Sequence, residues 1–126
     1  MILYVQTQGS HSTNSGNFTP IPGLSLTLPE GVKDTALVVL NVPNPYATGN
    51  ANPGGTFAIS VGGVVQTPIA SFTYNEVVPP SSGRVPTTLV VGVPLASKAQ
   101  PVLALWQNVR GSTVLIDSPA SLGIIV

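Results

Sequence analysis

Apolar and polar residues alternate along much of the chain with a period of two. Leu24-Ser-Leu-Thr-Leu28 shows it most plainly, and that is the pattern of a strand with one buried face. Ala36 to Val42 is apolar at nearly every position and reads as a strand buried on both faces. Thr56 to Val61 and Val64 to Gln66 flank Gly62-Gly63, a pair suited to a two-residue hairpin turn with positive φ. Ile69 to Tyr74, Thr87 to Val93, Val102 to Val109, Thr113 to Ile116 and Ser121 to Val126 continue the series. The total is about eight to ten short strands at the spacing of a sandwich. Pro43 to Gly55 and Val77 to Pro86 read as ordered loops, and Thr7 to Asn17 as a mobile or surface loop.

No window favours a helix, because proline interrupts most of them and good helix formers are scarce. Thirteen Gly and 13 Pro punctuate 126 residues, and neither repeat nor linker divides them. The expectation is one all-β domain, residues 1–126, with a jelly-roll or related sandwich fold.

Charge changes the picture next. Only 6% of the residues are charged, against roughly 25% in an ordinary soluble domain. The bases are Lys33, Arg84, Lys98 and Arg110, the acids Glu30, Asp34, Glu76 and Asp117, and the formal net charge is zero. No basic patch exists for nucleic acid, nor a polybasic segment for an anionic membrane surface. The chain is 43% hydrophobic, yet no apolar run approaches the ~18 residues of a spanning helix. An apolar excess without a membrane points to a subunit interface. The N-terminal Met1 to Gln6 is apolar but carries no preceding base, so it does not read as a secretory signal. Localisation is left open.

Catalytic chemistry is hard to assemble from these residues. His11 is the one histidine and there is no cysteine, which leaves neither a triad nor a thiolate metal site. Four scattered acids offer no oxygen cage for calcium and no evident carboxylate pair for glycoside hydrolysis. The expectation is a protein that is not an enzyme and needs no cofactor and no metal.

What the sequence does offer is two arginines in stiff surroundings. Arg84 lies in Ser81-Ser-Gly-Arg84 between Pro79-Pro80 and Pro86, and Arg110 follows an apolar strand in Trp106-Gln-Asn-Val-Arg-Gly-Ser112. Each caps a loop, or pairs with Asp117 or Glu76, or presents its fork of donors to a ligand. A neutral sugar needs fixed donors and acceptors for its hydroxyls and an apolar surface for its C–H face. Thr73, Tyr74, Ser81 and Ser82 can supply hydroxyls and Tyr46 an aromatic edge; core packing with the hydroxyl at the rim is the other reading of both tyrosines. Trp106 alternates with Val102 and Ala104 and reads as core.

At these residues the chain resembles a known family, the tumour-necrosis-factor-like, fucose-binding N-terminal domain of a bacterial superlectin. The resemblance is carried by Ile21-Pro-Gly-Leu24, Leu40-Asn-Val-Pro43, Pro45-Tyr-Ala-Thr-Gly-Asn50, Phe57-Ala-Ile59, Phe72-Thr-Tyr74, Ser82-Gly-Arg84, Val109-Arg-Gly-Ser112, Ile116-Asp-Ser118 and Ala120-Ser-Leu122. It implies a TNF-like jelly-roll sandwich, assembly as a homotrimer, and metal-independent binding of fucosylated glycans at protomer boundaries. It further implies that Tyr46, Ser81, Ser82 and Arg84 come from one protomer and Thr73, Tyr74 and Arg110 from its neighbour. Thr56 stands where the family pocket has a tyrosine, and Pro80 where it has an acid. The first change removes an aromatic wall and the second an acceptor. The competing reading is a structural or assembly jelly roll with no sugar ligand, for which the arginine, hydroxyl and tyrosine set has no use.

Overall fold

The computed structural model describes residues 1–126, all of them in strands, turns and loops, with no helix. Twelve strands form in chain order: β1 Ile2–Gln6, β2 His11–Thr13, β3 Thr19–Leu28, β4 Thr35–Val42, β5 Tyr46–Thr48, β6 Gly54–Val61, β7 Val64–Val65, β8 Ala70–Thr73, β9 Thr87–Pro94, β10 Gln100–Val109, β11 Thr113–Ile116 and β12 Ser121–Ile125. They make an antiparallel jelly-roll sandwich. One sheet runs β1-β12-β4-β9, the facing sheet β3-β10-β6-β7 with β8 also on the β6 edge, and a small third sheet β2-β11-β5.

The alternation expected of the strands sets the layers. Val38, Leu40, Val91, Leu122 and Ile124 point inward from one sheet, and Phe57, Ile59, Val102, Ala104 and Trp106 from the other. Trp106 is 1% exposed, as its spacing predicts. Gly62 and Gly63 turn with φ of 58° and 82°, the positive pair that a tight hairpin requires.

Three expectations are corrected. Thr7 to Asn17 is not a free loop: β2 pairs with β11, and Thr7 is buried, its backbone bonded to Ala120 O at 2.8 Å and its hydroxyl accepting from Ala120 N–H at 2.9 Å. Strand β5 forms inside the stretch read as an ordered loop. Both segments are short and polar, so pairing with β11 rather than local pattern makes them strands. The third correction is β4, which is covered on one face only. Ala36, Val38, Leu40 and Val42 are buried, while Leu37 is 46% exposed. The register puts Ile2, Ile125 and Leu37 in one row across the sheet, followed by Gly92, and Tyr4, Gly123, Val39 and Val90 in the next. These two outward rows are therefore apolar, the next row is polar with Gln6, Ser121, Asn41 and Thr88, and nothing in the chain lies over them.

Close approach is concentrated at the start of β6. A Cβ on Gly54 would overlap the carbonyl oxygen of Phe72 and the Cα of Thr73 in β8, and one on Gly55 would come within 2.9 Å of the Val114 methyls in β11. Alanine at Gly54 is expected to push β8 off β6 and to destabilise by about 1–3 kcal/mol, the ordinary range for overpacking. Gly16→Ala has only the Asn108 Oδ1 atom near, at 3.7 Å, and serves as the control. Thermal denaturation of the two variants distinguishes them; equal melting would remove the constraint at Gly54.

Candidate functional site

The convergence at Gly54 positions two arginines at one end of the sandwich. Arg110 follows the last residue of β10, and Arg110-Gly111 turns the chain into β11 with φ of 51° and 71°. The left-handed conformation is unfavourable for a residue with a side chain, so local bonds must hold it. Ser112, 3% exposed, provides them: its Oγ lies 2.8 Å from Gly54 O and 2.7 Å from Val109 O and accepts from Gly54 N–H at 3.2 Å. The Arg110 side chain then folds over the 51–52 segment. Its Nε donates to Ala51 O at 2.7 Å and its Nη2 to Asn52 O at 2.6 Å. That uses the side edge of the guanidinium and leaves the Nη1/Nη2 end free.

Arg84 is held the opposite way. Its Nη1 and Nη2 donate to the two carboxylate oxygens of Asp117 at 2.7 and 2.9 Å, a bidentate pair, and Nη1 also donates to Asn44 O at 3.2 Å. The guanidinium carbon sits 4.2 Å from the centre of the Tyr46 ring, within cation–π range. The Nε–H and the second Nη2 hydrogen make no bond in the chain, so Arg84 offers its side edge. Hydrogen bonding to Arg84 holds the Asp117 carboxyl below its ordinary value, and the same bond holds the Arg84 guanidinium above its own. The pair is therefore complete at neutral and mildly acidic pH. It is lost only as pH falls through the lowered Asp117 value.

Tyr74 ties the two halves together. Its hydroxyl donates to Gly83 O at 2.6 Å and accepts from Ala47 N–H at 3.2 Å, which pins the 77–86 loop to β5 beside Tyr46. Its ring meets Phe72 edge-on at 5.9 Å between centroids, and its carbonyl accepts from Asn52 Nδ2 at 3.2 Å. Within the chain Tyr74 thus touches the Arg84 loop directly and the Arg110 carbonyl cradle through Asn52.

The matching family model is the Bc2l-C N-terminal domain, and it spans residues 3–125. The chain belongs to that family. This agrees with the resemblance carried by Pro45 to Asn50 and Val109 to Ser112. No curated protein matches the chain. Among solved structures, the CBM36-1 domain of a multidomain xylanase from the hindgut metagenome of Trinervitermes trinervoides aligns over 100% of this chain and 98% of its own, at 15% identity and a TM-score of 0.49.

Placed on this member of the Bc2l-C N-terminal domain family, the residues expected to form the site do not all come together. Tyr46, Tyr74 and Arg84 share one cluster. Ser81 and Thr73 are exposed and Ser82 half-buried, and none of the three spends its hydroxyl on a hydrogen bond in the chain. Arg110 stands in a second cluster with Ala51 and Asn52. Thr56 is 5% exposed and its hydroxyl is bonded to that of Ser71 at 2.8 Å; it lies in the body of the sheet, paired with Gln107 and Ser71. Asp117 is the member that sequence reasoning did not place in the site. The sequence offered it only as one of two acids, with Glu76, that could pair with an arginine.

Tyr74→Phe tests the bridge. It leaves the fully buried Ala47 N–H and the Gly83 carbonyl without their partner, at a cost of about 1–3 kcal/mol. Faster amide exchange at Ala47, together with a lower melting temperature, is the expected result. Unchanged exchange would show that the loop is held by other contacts.

Proposed function

We propose that this protein is a metal-independent lectin that binds fucosylated glycans and does not transform them. The observation that carries the reading is the Arg84 cluster: a guanidinium fixed by Asp117 and Asn44, a tyrosine ring under one face, and the unspent hydroxyls of Ser81 and Ser82 beside it. These are the elements a neutral sugar requires, fixed donors for its hydroxyls and an apolar surface for its C–H face. Membership of the Bc2l-C N-terminal domain family, and the match of both arginines to the motifs of a fucose-binding domain, support the same reading.

The working form is a homotrimer with sugar sites at protomer boundaries. The apolar rows Ile2, Ile125, Leu37 and Tyr4, Val39, Val90 support assembly, since an uncovered apolar patch is a surface for another chain. Tyr46, Ser81, Ser82 and Arg84 of one protomer and Thr73 and Arg110 of its neighbour form the site. Tyr74 acts chiefly on the Arg84 side, because its hydroxyl is already bonded there. Thr56 supplies no aromatic wall.

A glycan array is the deciding experiment, with fucosylated glycans expected to bind and a chelator expected to leave the binding unchanged. Arg84→Ala and Arg110→Ala are each expected to weaken binding by about tenfold or more while the trimer persists in light scattering. Val90→Lys is expected to dissociate the trimer and abolish binding together. A trimer that binds no glycan would favour the assembly protein without a sugar ligand.

A further inference from the structure

We infer that Asp117 sets the preference of the Arg84 site for neutral over anionic sugars, an inference that rests on the lectin reading. The free edge of Arg84, Nε–H with the second Nη2 hydrogen, presents two parallel donors. Such a fork fits two neighbouring oxygens, and both a vicinal diol and a carboxylate offer them. Geometry alone does not separate the two ligands. Charge does. An uncompensated guanidinium is a carboxylate site, whereas the Asp117 carboxylate on the other edge neutralises Arg84 and repels a second anion brought to the same plane.

The carboxylate is built into the fold and is not a mobile surface acid. Asp117 directly follows buried Ile116, the last residue of β11, and three residues later Ala120 is clamped by both the backbone and the hydroxyl of Thr7. Ser118 Oγ lies 3.4 Å from Oδ1 of Asp117. The Asp117 and Arg84 side chains remain 32% and 44% exposed, and a pair so open to water contributes little to folding. What the pair does accomplish is orientation. It holds the guanidinium over the Tyr46 ring and leaves the Nε–H and the second Nη2 hydrogen unbonded. Asp117 is thus a positioning residue that also sets the charge of the site. Arg110, the other cation assigned to the site, is bonded only to carbonyl oxygens, so the charge balance that Asp117 supplies is confined to Arg84.

Asp117→Asn keeps the shape of the side chain and removes its charge. The wild type, Asp117→Asn and Asp117→Glu are compared on an array carrying neutral fucosylated, sialylated and uronic-acid glycans, and by calorimetry with methyl α-L-fucoside. Asp117→Asn is expected to bind the fucoside about tenfold more weakly and to gain signal on the anionic glycans, a gain that high salt suppresses. Asp117→Glu, which restores the charge, is expected to exclude the anionic glycans again. Melting temperature is read alongside. An Asp117→Asn variant that stays folded and shows the wild-type ratio of neutral to anionic binding overturns the inference. So does one that fails to fold, since the pair would then be structural. A wild type that binds no glycan at all overturns the lectin reading itself.

Discussion

The two glycines that open β6 are the constraint on which this end of the molecule depends. Four segments meet there: β8 lies against Gly54, β11 packs its Val114 onto Gly55, the end of β10 pairs alongside, and Ser112 reaches in to bond both polar groups of Gly54. No side chain larger than hydrogen leaves room for that meeting. The consequence is geometric. The turn that carries Arg110, the segment 51–52 that cradles it, and the strand end that carries Thr73 and Tyr74 are all referenced to the same few atoms. Tyr74 then carries that reference across to the Arg84 loop. A surface loop rich in proline would not place a guanidinium by itself; here it is fastened at Gly83 by a phenol and at Val85 by a backbone bond to Pro45 O of 3.0 Å.

Electrostatics in this protein is local because there is so little of it. With four acids and four bases in the chain, no long-range field steers a ligand, and each charge acts through its immediate partners. The two arginines illustrate opposite uses of the same group. Arg84 is gripped at its end by a carboxylate and Arg110 along its side by carbonyls, so they present different edges. The grip also differs in charge, since a carboxylate neutralises the cation and carbonyl oxygens only solvate it. Two identical side chains thereby come to present different edges and different charge, one neutral in sum and one positive.

Much of the architecture was legible in the chain. The alternation in Leu24 to Leu28, the β6 run with Phe57, Ile59 and Val61 inward, the Gly62-Gly63 turn and the buried Trp106 all follow from a period of two and the conformational freedom of glycine. What was not legible is instructive. Strands β2 and β5 have no hydrophobic period because three residues cannot show one, and their identity comes from β11. The segment Ala36 to Val42 looked doubly buried because it is apolar on both faces, but a sequence does not say whether the second cover is its own chain. At the site, the residue types were legible and their partners were not. Asp117 and Glu76 were equal candidates for pairing with an arginine, 33 residues distant in one case and eight in the other, and only the fold puts Asp117 at 2.7 Å. The Tyr74 hydroxyl looked available for a ligand, and the structure spends it on Gly83 and Ala47.

The apolar sheet face and the arginine cluster answer one another. A protein with 6% charged residues has few polar groups with which to keep a face of Ile2, Leu37, Tyr4, Val90 and Ile125 in water, so covering that face is favoured by the hydrophobic effect alone. Gly92 and Gly123, lying in the same rows, add no side chain to that face. An interface of this kind needs no charge for its own stability. Of the eight charges, Arg84, Arg110 and Asp117 belong to the clusters described above, while Glu30, Lys33, Asp34 and Lys98 lie in the β3–β4 and β9–β10 connections. Both cations of those clusters are arginines, the side chain with the most rigid donor geometry. Each is anchored beside buried strand ends, where a few hydrogen bonds suffice to fix its direction.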